Sequence, residues 1–282
     1  MRYRDQSASD GRSGGDAGAY GLRVRGLKGA DLQDATDETL IIGLRLEPQG
    51  RQETAIRFDD RTLVLPAGRA CTVVDRDARE AVLYSDRRVP SAQLAHPFLS
   101  VPGIAFAYWR GADPMHAGAF AMGGGTILVL AAKGGGKSTT MAGLAEAGTV
   151  VVADDLAVVE RGQVLAGPRL VDLRPSAARA AGLWERTRSV RGRRRLSLPP
   201  IGDPLPLRAV VVLAWGSEIR MQSVPLAERL ATAIGHRFLT GLGPGTGRVQ
   251  MDLLAVPWWR LERPRSPDVI PATIDRIQVT FS

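Results

Sequence analysis

The residues best suited to binding or catalysis lie in one short window, where two of the three lysines in the chain flank a run of glycines. The window reads Ala132-Lys133-Gly134-Gly135-Gly136-Lys137-Ser138-Thr139. Glycines followed by Lys-Ser are typical of a phosphate-binding loop, in which small residues let backbone N–H groups turn toward phosphate oxygens. We therefore expect the whole window to bind a nucleotide. Lys137 would reach the β- and γ-phosphates, and the Ser138 hydroxyl would bind Mg²⁺.

Two adjacent carboxylates, Asp154 and Asp155, follow an apolar run at residues 149–153. One carboxylate at such a position can hold Mg²⁺ through water, and its neighbour can accept a proton from an attacking hydroxyl. We assign Asp154 to the metal and Asp155 to the base, and the sequence leaves the reverse assignment open. A strand-ending turn with two solvated acids is the alternative.

The segment 186–195 is rich in arginine and supplies candidate anion-binding residues. One reading is a mobile arm whose guanidinium groups meet the γ-phosphate or an acidic peptide. The others are a solvated loop and a nucleic-acid patch, and the segment lacks the interleaved aromatic residues that the last requires. The candidates are Arg191, Arg193, Arg194 and Arg195.

The elements that must position these side chains form a strand–loop–helix–strand pattern. The apolar run 126–130 predicts a buried strand, a helix is expected from Lys137 to Gly148, and the run 149–153 predicts a second strand. This is a βαβ unit, and open α/β sheets bind ligands at the carboxyl ends of their strands. The loop and the two aspartates would therefore share one edge.

The rest of the chain divides by pattern into a tail and a second unit. We predict a flexible tail at residues 1–19, a small, mainly β domain at residues 20–95, and an α/β domain at residues 96–282. With 44% hydrophobic residues the chain can bury a core.

Composition excludes several classes of function. The chain shows neither a membrane-spanning run nor a secretory signal, and the lone Cys71 forms no internal disulfide, so we expect a cytoplasmic protein. The net charge of +8 rests on 34 Arg and 3 Lys in a chain without asparagine, which fits a GC-rich genome, so we do not expect a nucleic-acid partner. Without asparagine, the Asn-Lys-x-Asp motif of GTPases cannot exist.

The motifs together resemble the HPr kinase/phosphorylase family and its shorter HPr-kinase-like relatives. The resemblance runs over about residues 100–270, from Met115-His116-Ala117-Gly118 through the loop to Val152-Ala153-Asp154-Asp155-Leu156. His116 lies fifteen residues before Ala131, as the family's histidine does relative to its loop, which implies a role for His116 near the phosphates. An ordinary packed or exposed histidine is the alternative.

The resemblance implies a P-loop kinase that uses ATP and Mg²⁺ to phosphorylate a serine hydroxyl, with Asp154 and Asp155 supplying the metal-side carboxylate and the base. Short relatives phosphorylate precursor peptides such as those of lasso peptides, so a peptide or protein substrate is implied. The family often forms oligomers, and a homo-oligomer is compatible with the resemblance.

Departures from the family pattern restrict which of the family's reactions and substrates we expect for this chain. Ala131 and Lys133 stand where the family usually has Gly and Ser, and Thr139 stands where bifunctional members carry Glu. The glycine-rich signature of the phosphorylase reaction is missing, so we expect neither the reverse reaction nor HPr as substrate. Three alternatives stay open: a P-loop ATPase or nucleotide-sensing module, a kinase of a small hydroxylated metabolite, and a basic binding protein with a structural loop.

Overall fold

The computed structural model describes residues 17–25, 32–34, 40–48, 53–202, 204–241 and 251–282, which form a mixed α/β protein with several sheets. Residues 17–19, which we assigned to the end of a flexible tail over residues 1–19, form a strand. Residues 1–16 lie outside the described part of the chain.

The first sheet contains eight strands within the described residues, in the order β3-β1-β2-β4-β8-β7-β6-β5. Strands β2, β4 and β8 run parallel, and β8, β7 and β6 form an antiparallel meander. The strands agree with the β character read from the sequence, and their independence as a domain stays a prediction. Their bounds are β1 Ala17–Ala19, β2 Leu22–Arg25, β3 Gln33–Asp34, β4 Leu40–Glu47, β5 Arg57–Phe58, β6 Thr62–Ala67, β7 Ala70–Asp75 and β8 Glu80–Tyr84.

A helical segment links this sheet to the rest of the molecule. It consists of α1 (Ser91–Gln93), an irregular turn over Leu94–Phe98, and α2 (Ser100–Trp109). Helix α2 is apolar on all sides and nearly all of its residues are buried, which indicates that it packs between layers rather than on the surface.

The second sheet carries the predicted loop and aspartates. Its path is β12-β10-β11-β18-β14-β13-β9, with β20 beside β18 and β19 beside β20, while β15, β17 and β16 form a small separate sheet. The bounds are β9 Asp113–Met115, β10 Ala117–Met122, β11 Gly125–Ala131, β12 Val150–Ala153, β13 Ala157–Glu160, β14 Gln163–Leu165, β15 Leu170–Leu173, β16 Arg188–Val190, β17 Arg193–Ser197, β18 Leu205–Trp215, β19 Arg220–Ser223 and β20 Trp258–Arg263.

Helices cover both faces of this second sheet. Alternate residues of β11 point to opposite faces: Ile127 and Val129 pack with α3 and α7, while Leu128 and Leu130 pack with α5 and α6. The bounds are α3 Lys137–Glu146, α4 Pro175–Ala180, α5 Leu226–Gly235, α6 Met251–Ala255 and α7 Ile270–Phe281, with a 3₁₀ turn at Pro267–Val269.

The predicted βαβ unit is present, but its two strands are not neighbours. Strand β10 lies between β11 and β12 and is antiparallel to both, so β11 and β12 are parallel to each other across it. This insertion brings the start of β10, and therefore His116 just before it, to the same edge as the ends of β11 and β12. The local pattern could not show this, because strand pairing is decided by distant residues.

Helix α2 joins the two large sheets through one hydrophobic cluster. It contacts β6 and β7 of the first sheet and β9 and β13 of the second. The cluster contains Leu63 and Val74 from the first sheet, Val158 from the second and Leu156 just before β13, all fully buried. The expected boundary at residue 95/96 therefore falls next to a helix that shares its core with both sides.

Candidate functional site

The glycine-rich loop between β11 and α3 has the backbone geometry that its sequence requires. Gly134 and Gly136 adopt left-handed conformations, with φ of 80° and 81°. The Gly135 N–H donates to the Ala132 carbonyl at 2.8 Å, which closes a tight turn. Ala131, the departure from the usual glycine, is the last residue of β11 and has no left-handed backbone. The alanine is tolerated there because the turn begins only after it.

Lys137 and Asp154 each carry a buried polar atom that has no hydrogen-bond partner among the described residues. These atoms are Lys137 Nζ and Asp154 Oδ1. Burial lowers the pKa of Lys137, although the charges of Asp154 and Asp155 act to raise it. Burial raises the pKa of Asp154 to about 6. The Ser138 hydroxyl donates a hydrogen bond to Asp154. Because orphaned buried polar atoms are costly, this pair indicates a place for a ligand.

Asp155 has a strained backbone at the end of β12. Its φ is 69°, which is rare for a residue with a side chain, and the Leu156 N–H donates to the Asp154 carbonyl at 2.9 Å across it. Such conformations cost about 1–3 kcal/mol and cluster at functional sites. Here the turn directs the Asp155 carboxylate into the space beside the loop, where it lines a cavity.

Two histidines flank the Asp155 carboxylate. His116 Nε2 lies 3.3 Å from Oδ1, and His96 Nε2 lies 3.8 Å from Oδ2. The hydrogen bond from His116 is the main cause that lowers the pKa of Asp155 to about 2, so Asp155 is ionised at neutral pH. The structure thus places His116 beside Asp155, and its role near the phosphates stays a prediction.

Sequence reasoning missed His96. Its Nδ1 lies 3.3 Å from Ser100 Oγ, which lies 3.4 Å from the Tyr20 hydroxyl. Burial lowers the pKa of His96 and favours the neutral ring. With the Ser100 hydroxyl donating to Nδ1, the Nε2–H faces Asp155. No local signal marks His96, because it reaches the site from the helical segment that precedes the predicted βαβ unit.

The arginine-rich segment forms a hairpin of β16 and β17, so the mobile arm, one of the readings that the sequence left open, is not found. Arg195 is buried and donates to both Asp172 oxygens, at 2.7 Å each, and to the Ala92 and His96 carbonyls. Arg194 stacks over Trp184, 4.1 Å from the ring centroid. These two candidates are therefore structural, because packing and hydrogen bonds occupy their guanidinium groups.

Among the four predicted arginines, Arg191 and Arg193 are the exposed ones. Two cavities, of about 990 Å³ and 420 Å³, lie beside the hairpin. Arg193 lines both of them, and Arg191 lines the smaller one. Of the four predicted arginines, these two are placed to meet an anion.

Two adjoining cavities gather the candidates. The larger, of about 990 Å³, is lined by the whole predicted window from Ala132 to Thr139 with His116 and Asp155. Lys133 is exposed on its wall. The smaller, of about 420 Å³, is lined by His96, Asp154, Asp155 and the hairpin arginines. Ser138, Asp155, Asp172 and Arg193 belong to both linings, so the cavities meet at the carboxylates.

The donor set at this junction suits a hard divalent cation. Asp154 Oδ1 and the Ser138 hydroxyl are oxygen donors, which Mg²⁺ prefers. In the described part of the chain, no group of three or more His, Cys, Asp or Glu side chains forms a ready metal cage. Mg²⁺ would therefore complete its shell with phosphate oxygens and water, as it usually does at nucleotide sites.

Comparisons with known proteins give only a distant relationship. The sequence matches no family model and no curated protein. Among solved structures, the chain is similar to the Hpr(Ser) kinase/phosphatase from Coxiella burnetii at 10% identity and a TM-score of 0.31. That similarity covers 60% of this chain and 97% of the other. None of the helices in the described ranges has the length and apolar character needed to cross a bilayer.

Proposed function

We propose that this protein is a kinase that uses ATP and Mg²⁺ to phosphorylate a serine hydroxyl of a peptide or protein. The observation that carries the proposal is the pair of orphaned atoms, Lys137 Nζ and Asp154 Oδ1, beside a glycine loop that opens a helix. A triphosphate with its cation would satisfy both atoms. The loop N–H groups and the helix N-terminus add partial positive charge for phosphate oxygens.

The residues around the junction of the two cavities have separate roles in phosphoryl transfer. Lys137 neutralises the β- and γ-phosphates, and Asp154 with Ser138 holds the cation, which stabilises the charge that develops on the phosphate oxygens. Asp155, ionised at neutral pH, accepts the acceptor's proton as its oxygen attacks the γ-phosphorus and ADP leaves. His116 orients Asp155 through its hydrogen bond to Oδ1.

The smaller cavity is the entry for the acceptor. Asp155 lines it together with the exposed Arg191 and Arg193. Free guanidinium groups there favour an acceptor with acidic neighbours. The volume of about 420 Å³ lies within the range of small-molecule pockets, so a kinase of a small anionic metabolite with a hydroxyl group is the second candidate.

The test is transfer of label from γ-labelled ATP with Mg²⁺ onto serine peptides that carry acidic residues, with Ser→Ala peptides as acceptor controls. We expect Lys137→Ala to abolish transfer and weaken ATP binding, because the phosphates lose their buried cation. Arg87→Ala, which removes an exposed arginine that lines neither cavity, is the matched control and should behave as wild type.

The label's destination separates the candidates. Label on the serine peptide supports the peptide kinase, and label on a small anionic alcohol supports the second candidate. Release of free phosphate without any acceptor points instead to an ATPase. Wild-type transfer by Lys137→Ala would remove the loop from the mechanism.

A further inference from the structure

The strand ends along one edge of the second sheet define a direction for the bound nucleotide. Strands β12, β11, β18 and β20 run parallel, with β10 inserted between β12 and β11, so their carboxyl ends share an edge. Along this edge come Asp154 and Asp155, then His116, then the loop, then Trp215 and Arg263. The carboxylates and Lys137 occupy the phosphate end, which leaves the β18–β20 end for the rest of the ligand.

Trp215 stands at that second end. It is the last residue of β18 and continues the face of Val211 and Leu213, which is the face that α3 and α7 cover. It is 42% exposed, and it is the sole Trp, Tyr or Phe lining the larger cavity in the described ranges. A Cβ built on Gly136 would come within 3.3 Å of Trp215 Cη2, so the ring borders the loop directly.

Arg263 holds the ring and the loop together. It is the register partner of Trp215 on β20, and its guanidinium carbon lies 4.5 Å from the ring centroid. Its Nη2 donates to the Gly135 carbonyl at 2.8 Å. Arg263 is only 5% exposed, yet its Nη1 has no hydrogen-bond partner among the described residues. A buried donor of this kind in a cavity wall is available to an oxygen of a ligand.

The cavity that Trp215 lines also has apolar walls. Val269 and Ile270 line it at the turn into α7, a short distance along the chain from Arg265, which contacts the Trp215 ring. The phosphate end, by contrast, carries Asp155, Asp172 and Arg193 and no such aromatic side chain. The cavity volume of about 990 Å³ accommodates a nucleoside triphosphate along this path.

We infer that Trp215 is the nucleobase platform of this site: the base stacks on its exposed face, Arg263 fixes its ring, and the triphosphate runs over the loop toward Asp154. This inference rests on the proposed nucleotide binding and assigns the end of the cavity that the proposed function leaves unassigned. Arg265, exposed and 5.8 Å from the same ring centroid, is free to move aside when a base enters.

The test compares ATP with inorganic tripolyphosphate, each with Mg²⁺, by calorimetric titration of the full chain. Tripolyphosphate has the phosphates and no base. We expect Trp215→Ala to weaken ATP binding by roughly 5- to 150-fold, the range for loss of one base–aromatic stack, and to leave tripolyphosphate binding unchanged. Trp215→Phe keeps an aromatic ring and should restore most of the ATP affinity.

Trp184→Ala is the matched control, because Arg179 and Arg194 also stack on that ring and it lines neither cavity. It should bind both probes as wild type does, and thermal unfolding will establish that each variant is folded. Equal losses for ATP and tripolyphosphate, or no loss for either, would overturn the platform. If the wild-type protein binds neither probe, the proposed nucleotide site itself is overturned.

Discussion

At the scale of single residues, Asp154 and Asp155 are neighbours in sequence with opposite surroundings. Asp154 is buried, with a pKa raised to about 6 by burial, and one of its oxygens is orphaned. Asp155 is partly exposed, with a pKa lowered to about 2, chiefly by the hydrogen bond from His116. The sequence leaves the two roles exchangeable, and these surroundings favour Asp154 for the cation and Asp155 for the acceptor.

This division of roles gives a paired prediction. Asp155→Asn should lower phosphate transfer by at least about 10²-fold, the usual contribution of a general base, and leave binding of ATP with Mg²⁺ nearly intact. Asp154→Asn should weaken that binding, because the cation loses its protein carboxylate. Titration of ATP with and without Mg²⁺, together with initial rates of transfer, measures both effects. The opposite pattern would mean that the two roles are exchanged.

At the scale of elements, the sequence predicted local segments well and their pairing poorly. The strand at 126–130, the helix from Lys137 and the strand at 149–153 are all found within a few residues of their predicted ends. Local periodicity and the glycine run determine these elements. The insertion of β10 and the approach of His96 depend on contacts between distant segments, so no local pattern shows them.

The arginine hairpin shows the same limit within one strand. Arg193 and Arg195 are identical in type and lie on the same face of β17, yet one is exposed and the other is buried. Asp172, directly opposite Arg195 on β15, makes the difference, because it pairs with that guanidinium at both oxygens. A run of like residues gives no indication of which one has such a partner.

The two arginines should therefore differ sharply in their effect on stability. Arg195→Ala leaves Asp172 without its buried partner and should lower the free energy of unfolding by about 3–5 kcal/mol. Arg193→Ala should change it by less than about 0.5 kcal/mol while raising KM for an acidic peptide more than KM for ATP. Urea unfolding and initial-rate kinetics test this pair. Comparable stability of the two variants would show that the Arg195–Asp172 contact contributes little.

At the scale of the whole molecule, the site depends on both large sheets. His96 belongs to the segment between them, and Arg195 donates to the Ala92 and His96 carbonyls of that segment. The Tyr20 hydroxyl and Ser100 continue the contact chain from His96 into the first sheet. Helix α2 lies between the sheets with hydrophobic partners on both sides.

We expect this shared core to make the molecule unfold as one unit. Differential calorimetry of the full chain should give a single transition whose van't Hoff and calorimetric enthalpies agree. A chain that lacks residues 1–90 should lose cooperative unfolding, because one side of the apolar α2 would face water. Two resolved transitions, or an unchanged melting temperature in the shortened chain, would contradict this.

The position of β18 also determines the order in which strands of the second sheet can pair during synthesis. It pairs with β11, which is made long before it, and with β20, which is made long after it. Pairings between segments so far apart form slowly, since a long loop must close before any contact is gained. During synthesis the phosphate loop therefore emerges well before Trp215 and Arg263, and a growing chain passes through a stage that has the loop without the ring beside it. If Trp215 is the nucleobase platform that we propose, we expect nucleotide affinity to be acquired late, when β20 pairs with β18.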